Sequence, residues 1–283
     1  MISDVAVIVL TKNERLHIAR CLNKIQALEP REVFVVDCLS VDGTQEIARA
    51  HGVVVVEHPW PGNQAKQFNW ALDNLPIKAK WILRLDADEY LEKESVERLK
   101  GWLAAEQTAA AATFELKRKF MGREVRHGTV GIRMIRLFKF GRGRYPKRLM
   151  DERVIVDGSV VDLPVAFFDD NRNGLSWWTQ KHVGYARREA QQALLAEHGN
   201  KAAYYRLPKF FRAFIYFCVR YFLRGGIWDG AEGVLWHFLQ AFWYRVLVDA
   251  EILEIEKRAF CGRYYGSKME KIEQAIKEMQ GED

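Results

Sequence analysis

Trp81-Ile82-Leu83-Arg84-Leu85-Asp86-Ala87-Asp88-Glu89 carries an apolar run into three carboxylates within four residues. Trp81–Leu85 has the composition of a buried strand, and the acidic stretch marks its end. Side chains alternate along extended backbone, so Asp86 and Asp88 point to the same side. Two carboxylates on one edge repel unless a hard cation lies between them and an anion. Mg2+ or Mn2+ meets that need with oxygen ligands, few protein contacts, and water or substrate phosphates in the remaining positions. The competing reading is an acidic loop capping the next helix, which begins near Glu94. A D-x-D pair alone does not separate the two readings, and the pattern around it has to.

Three more apolar, β-branched runs precede it: Val5–Leu10, Glu32–Asp37 and Val53–Glu57. Between them lie segments with helical spacing, Asn13–Leu28, Gly43–His51 and Gly62–Leu75. This βαβαβαβ order predicts a doubly wound, mostly parallel sheet. Its crossovers are right-handed and its ligands sit at the carboxyl ends of the strands. Thr11-Lys12-Asn13-Glu14 follows the first strand, Asp37 closes the second, and Asp86-Ala87-Asp88 closes the fourth. Asp37 is placed to accept hydrogen bonds from a base or ribose. Asp42 has two open readings, a helix cap and a ligand contact. Neither G-x-G-x-x-G nor G-x-x-x-x-G-K-[ST] occurs, which argues against dinucleotide binding and against a P-loop.

Residues 113–157 are rich in Phe, Val and Ile and read as β-hairpins, with turns at Gly122, Gly128, Gly141-Arg142-Gly143 and Asp157-Gly158. Ala109–Ala112 reads as helix or loop. From Leu175 the pattern is helical: Trp177–His198, Phe210–Leu223 and Val234–Val248, then a charged tail, Glu251–Asp283. The apolar runs are shorter than the roughly 20 residues that span a bilayer. The expected organisation is a βα half over 1–112, a β-rich part of the same domain over 113–174, and a helical region over 175–283.

About half of the 283 residues are apolar and about a quarter charged, as in a globular protein. Cys21, Cys38, Cys218 and Cys261 are far apart and read as free thiols of a reducing compartment. With no basic, apolar leader pattern at the start, the expectation is a cytoplasmic protein. The net charge of +6 is concentrated: Leu116 to Arg148 holds twelve Lys or Arg against one acid, Glu124. That segment is either a site for an anion (diphosphate, lipid headgroup or nucleic acid) or a solvated face between strands. A purely basic binding module leaves the placed aspartates unexplained, so nucleic acid is not the expected partner.

Val7-Ile8-Val9-Leu10-Thr11-Lys12-Asn13-Glu14, Val35-Val36-Asp37 with Ser40-Val41-Asp42-Gly43-Thr44, and Leu85-Asp86-Ala87-Asp88-Glu89 resemble, in order and spacing, family 2 glycosyltransferases of the GT-A fold. Gly62-Asn63-Gln64-Ala65-Lys66-Gln67-Phe68-Asn69 looks like the family's segment after the third strand. Arg136-Leu137-Phe138, Tyr145-Pro146 and Met150-Asp151-Glu152 fall where the family has an R-L-F/Y strand and a V-H-E-like element. Trp178…Lys181-His182…Tyr185-Ala186…Glu189-Ala190 and Arg224-Gly225-Gly226-Ile227-Trp228-Asp229-Gly230 resemble bacterial lipopolysaccharide-core and surface-polysaccharide members.

The resemblance implies an inverting transfer from a nucleotide diphosphate sugar to a lipid-linked or lipopolysaccharide acceptor. It implies that Thr11, Asn13 and Glu14 line the nucleotide, that Asp37 holds the base and that Lys66 lies near base or ribose. Asp86 would contact ribose or metal, Asp88 would bind Mg2+ or Mn2+, and Glu152 would be the base. Asp151 stands where the family tends to have histidine, so the proton acceptor is either Glu152 or Asp151. Arg133, Arg136, Arg144, Lys147 and Arg148 are candidates for a second positive contribution at the leaving diphosphate. A nucleotidyltransferase would want a Gly-rich basic loop after the first strand, where this chain has Thr11-Lys12-Asn13-Glu14. A polyprenyl-phosphate sugar synthase stays open, since a phosphate acceptor needs no base. Phe210–Leu223 and Val234–Val248 have two readings, core helices or a peripheral attachment to an anionic membrane surface on the cytoplasmic side, with Arg212, Arg220 and Arg224 reaching lipid phosphates.

Overall fold

Along β1 (Ser3–Thr11) the odd and even side chains enter two different cores. Val5, Val7 and Val9 pack with α1 (Ile18–Gln26), α2 (Thr44–Ala50) and α4 (Lys93–Ala104), while Ala6, Ile8 and Leu10 pack with α3 (Gln64–Asn74). A strand covered on both faces is apolar throughout, which is why these runs do not alternate with polar residues. The computed structural model describes residues 2–129, 131–146, 153–195 and 202–281.

The chain forms two compact units, Met1–Arg126 with Val130–Arg172, and His127–Thr129 with Asn173–Asp283. In the first unit β2 (Pro30–Asp37), β3 (Val54–Glu57) and β4 (Trp81–Asp86) join β1 in a parallel block, ordered β3-β2-β1-β4. The sheet continues through β8 (Arg133–Lys139), β6 (Ala111–Phe120) and β11 (Val160–Asp170) to β5 (Glu89–Leu91), and β7 (Arg123–Val125) pairs with β6. Here β8 runs antiparallel to β4 and β6, and β11 lies parallel to β6. A two-stranded ribbon, β9 (Gly143–Arg144) with β10 (Ile155–Val156), stands apart from this sheet. The mostly parallel sheet thus has the carboxyl ends of β1, β2, β4, β6 and β11 on one edge.

Two expectations need correction in this unit. The helix expected over Asn13–Leu28 begins only at Ile18, because residues 13–17 form the turn that follows β1. Within the alanine run, Ala111 and Ala112 are strand, since β6 pairs with β8 on one side and β11 on the other. The long β11 was not foreseen.

The second unit is helical. Its core joins α5 (Leu175–Leu195), α9 (Tyr244–Ala259) and α10 (Lys268–Gly281) through Ala186, Ala190, Val248, Ile252, Ile255, Ile272 and Ala275. The charged tail is therefore not a tail: α10 buries Ile272, Ala275 and Ile276 at helical spacing and turns its charges outward. The remaining elements are α6 (Ala202–Arg206), α7 (Phe211–Cys218), which continues as a π-helical turn over Val219–Leu223, a 3-10 turn over Gly226–Asp229, and α8 (Gly230–His237). A second π-helical turn, Phe238–Trp243, links α8 to α9. No helix of the described residues is long and apolar enough to cross a membrane.

Candidate active site

The loops after β1 and β2 interlock around Asp37. Its carboxylate, wholly buried, accepts from Thr11 Oγ1 at 2.7 Å, Ser40 Oγ at 2.6 Å, the Ser40 amide at 2.7 Å and Gln45 Nε2 at 2.7 Å. Four donors fill the acceptor capacity of a carboxylate. Asp37 therefore serves here as the knot between two strand ends. The same zipper continues outward: the Asn13 amide donates to Ser40 Oγ, the Val41 amide to Asn13 Oδ1, the Glu14 amide to Thr44 Oγ1 and the Arg15 amide to Asp42 Oδ2. Asn13 takes up a left-handed backbone (φ 56°), where asparagine is among the residues best tolerated. Asp42 accepts from the Thr44 amide and hydroxyl at the start of α2, as a capping residue does.

At the end of β4 the carboxylates gather. Glu89 is buried, accepts from the Asp86 amide at 2.9 Å and pairs with Arg136. Asp170 pairs with Arg20, Asp169 with Arg118 at 3.0 Å, and Asp86 lies 3.5 Å from Arg84. Asp88 differs. Its Oδ2 accepts from the neutral amide of Asn171 at 2.9 Å, and among the described residues no Lys or Arg pairs with it. Burial first, then the charges of Asp169 and Asp86, push its carboxyl up to about 6. Among the described residues no three His, Cys, Asp or Glu side chains form a cage. What stands here is a half-buried, hard-oxygen carboxylate with like-charged neighbours and, among the described residues, no cationic partner. That donor set suits a divalent cation that keeps water and substrate oxygens in most positions.

Several supports come from residues that sequence spacing does not single out. His17, almost fully buried, joins Glu14 through Nδ1 at 2.6 Å to the Arg172 amide through Nε2 at 2.8 Å. Arg20 holds the Asp170 carboxylate and backbone, and its guanidinium lies 4.8 Å from the Tyr90 ring. Arg84 is held between Phe68 and Tyr145, at 5.3 and 4.7 Å from their rings. Asp169 and Asn171 belong to β11 and the turn after it. Their one sequence signal is that an apolar strand, Val165–Phe168, ends in acids as β4 does.

Among the remaining candidates, Lys66 is exposed in the first turn of α3, behind the Asn63 cap. Asp151 and Glu152 lie outside the described residues, as do Lys147 and Arg148. Arg133, Arg136 and Arg144 are three of the five candidates for a second positive contribution at the leaving diphosphate. Each is paired with an acid of a neighbouring element, Asp162, Glu89 and Asp73 respectively. Arg118 and Arg142 are paired too, so much of the basic 116–148 segment is neutralised internally.

The glycosyl transferase family 2 profile matches residues 6–162. An uncharacterized glycosyltransferase of Rickettsia bellii is 32% identical over 119 residues, which cover 42% of this chain and 39% of the relative. One of Rickettsia felis is 34% identical over 119 residues, with 42% and 41% covered. The chain thus spans about two fifths of the length of the curated relatives it matches. Among solved structures, a mannosyltransferase from Pyrobaculum calidifontis in complex with GDP-Man and Mn2+ superposes at TM-score 0.45 with 17% identity, over 100% of this chain and 80% of that one. Glucosyl-3-phosphoglycerate synthase from Mycobacterium tuberculosis in complex with Mn2+, UDP and glucosyl-3-phosphoglycerate gives TM-score 0.35 with 20% identity, over 41% and 44%. The family profile takes in more than half of the chain, from β1 into β11, and the chain belongs to glycosyl transferase family 2, with a GT-A-type α/β fold and a C-terminal helical region.

Proposed function

We propose that the chain is an inverting glycosyltransferase that moves a sugar from a nucleotide diphosphate donor, a UDP-sugar, to a lipid-linked or lipopolysaccharide-type acceptor in bacterial cell-surface glycan synthesis, on the inner face of the cytoplasmic membrane. The observation that carries this reading is Asp88, half-buried beside Asp86 and Asp169 and without a cationic partner among the described residues, at the carboxyl end of β4. In a doubly wound sheet that edge is where ligands bind.

In this reading the Thr11–Glu14 turn lines the nucleotide. Asp37 contributes by fixing the two loops that meet the base, since its oxygens are already filled. Lys66, exposed and close behind the Asn63 cap, reaches toward base or ribose. Asp88, with Asp86, would hold Mg2+ or Mn2+, which supplies Lewis-acid stabilisation of the leaving diphosphate. Inversion needs a single in-line displacement: the acceptor hydroxyl attacks the anomeric carbon from the face opposite the leaving group. Glu152, or Asp151 beside it, takes the hydroxyl proton.

The test is a turnover screen of UDP-, GDP- and dTDP-sugars with the wild type, Glu152→Gln and Asp151→Asn. The reading predicts turnover of one donor, lowered about 10²-fold or more by one of the two substitutions, with nucleotide binding retained. If both variants turn over normally, the acceptor group is an already ionised phosphate, as for a polyprenyl-phosphate sugar synthase. If no donor is turned over, the transferase reading fails.

A further inference from the structure

Helices that face water bury apolar side chains and expose charged ones. The run from α7 through its π-helical turn does the reverse. Arg212 and Arg220 are buried, at 3% and 4% exposure, whereas Phe211, Phe214 and Phe222 are exposed. Arg212 is bonded to Asp249 through Nε at 2.8 Å, and Arg220 donates to Thr129 Oγ1 at 3.0 Å. Two of the three arginines expected to reach lipid phosphates therefore point into the protein, a correction that leaves Arg224 on the surface.

The apolar face extends past the helix. Leu223 is 81% exposed, and Trp228, on the following 3-10 turn, 75%. That turn is a fixed mount. The Asp229 carboxylate accepts the His127 amide at 3.1 Å and lies 2.7 Å from His127 Nδ1 and 3.1 Å from His237 Nε2. Gly226 packs so closely that a Cβ there would come within 2.7 Å of the His237 ring. Large apolar side chains held outward on a rigid, hydrogen-bonded turn are presented to something, because a loose turn could fold them away.

Charge says to what. Residues 201–228 hold no Asp or Glu and six Lys or Arg, of which Arg212 and Arg220 turn inward and Lys209 pairs with Glu256 at 2.8 Å. Arg206 and Arg224, at either end of the apolar run, are exposed. Aromatic and aliphatic side chains flanked by arginines, on helices too short to span, match the interfacial zone of a bilayer with anionic headgroups. We propose that this face seats the helical unit on an anionic phospholipid bilayer, with Leu223 and Trp228 entering the acyl boundary and Arg206 and Arg224 meeting the headgroup phosphates. The inference rests on the membrane part of the function proposed above and names the residues that make the contact.

The test is vesicle co-sedimentation of the full chain, without nucleotide. One set of vesicles contains phosphatidylglycerol and phosphatidylcholine in equal parts, the other phosphatidylcholine alone. The wild type binds the anionic vesicles more tightly, and high salt weakens this without abolishing it. Leu223→Ser with Trp228→Ser, and separately Arg206→Glu with Arg224→Glu, each weaken binding by roughly tenfold or more with an unchanged melting curve. Met121→Ser, at an exposed apolar residue of the other unit, leaves binding unchanged. Wild type that ignores anionic vesicles at low salt, or variants that bind as the wild type does, overturns the proposal. So does a dimer that the Leu223→Ser, Trp228→Ser variant dissolves, since the face then meets a second copy. Nucleotide titration without vesicles separates the two readings. Vesicle binding with no nucleotide binding strikes the transferase and leaves the seat standing, and the opposite result does the reverse.

Discussion

Asp88 and its neighbours show how one side chain acquires a function from its surroundings. Glu89, Asp169 and Asp170 each have an arginine, so their charges are structural. Asp88 is given a neutral amide and two like charges, an arrangement that costs the protein stability unless a cation completes it. The cysteines are governed by the same environmental logic. Burial raises the Cys21 thiol well above its usual range, and burial together with the Asp37 charge pushes Cys38 up to about 11. Cys261 is exposed. A thiol reagent at neutral pH should therefore modify Cys261 first, and Cys21 and Cys38 only on unfolding, as peptide mass mapping with and without denaturant would show. Early labelling of Cys21 would contradict its burial on the inner face of α1 against β4. At this scale the sequence revealed Asp86 and Asp88, because an apolar strand running into acids is a local pattern. His17 and Asp169 were not legible. Their partners, Arg172 and Arg118, are 155 and 51 residues away, and only the sheet order brings them close.

At the scale of elements, the parallel strands were the readable part, since a strand buried on both faces is a continuous apolar run and needs no knowledge of its neighbours. The α7 segment was readable as a helix but not as to which face is inside. Its inner face is set by Asp249 on α9, 37 residues on, which binds Arg212 and also accepts the Phe210 amide at 2.7 Å. Removing one partner of a buried ion pair leaves the other charge unsolvated. Asp249→Ala should therefore destabilise the helical unit by about 3–5 kcal/mol, read as a lowered urea midpoint of its helical signal. A change of less than about 1 kcal/mol, the range of a surface pair, would show that Arg212 finds water instead. The break in the helix expected over Asn13–Leu28 has a distant cause too: the Asn13–Arg15 amides donate to Ser40, Thr44 and Asp42, 27 to 30 residues on, rather than entering a helix.

For the whole molecule, the net charge of +6 hides a division of labour. Much of the basic 116–148 segment is spent on internal partners, Asp73, Glu89, Asp157, Asp162 and Asp169, and in the 201–228 stretch Lys209 and Arg212 pair with Glu256 and Asp249, which leaves Arg206 and Arg224 exposed. Charge counting along the sequence ranks the first segment as the binding surface. Pairing in three dimensions neutralises much of that charge and leaves the carboxylate edge of the sheet as the catalytic candidate. The central claim is that Asp88 makes nucleotide binding depend on a divalent cation. Isothermal titration of UDP, GDP and dTDP into the full chain, with Mn2+ and with EDTA, for wild type and Asp88→Asn, tests it directly. The account predicts that at least one nucleotide binds the wild type with Mn2+ and not with EDTA, and that Asp88→Asn weakens this roughly tenfold or more without lowering the melting temperature. Nucleotide binding of equal strength in EDTA, or in Asp88→Asn, would contradict it.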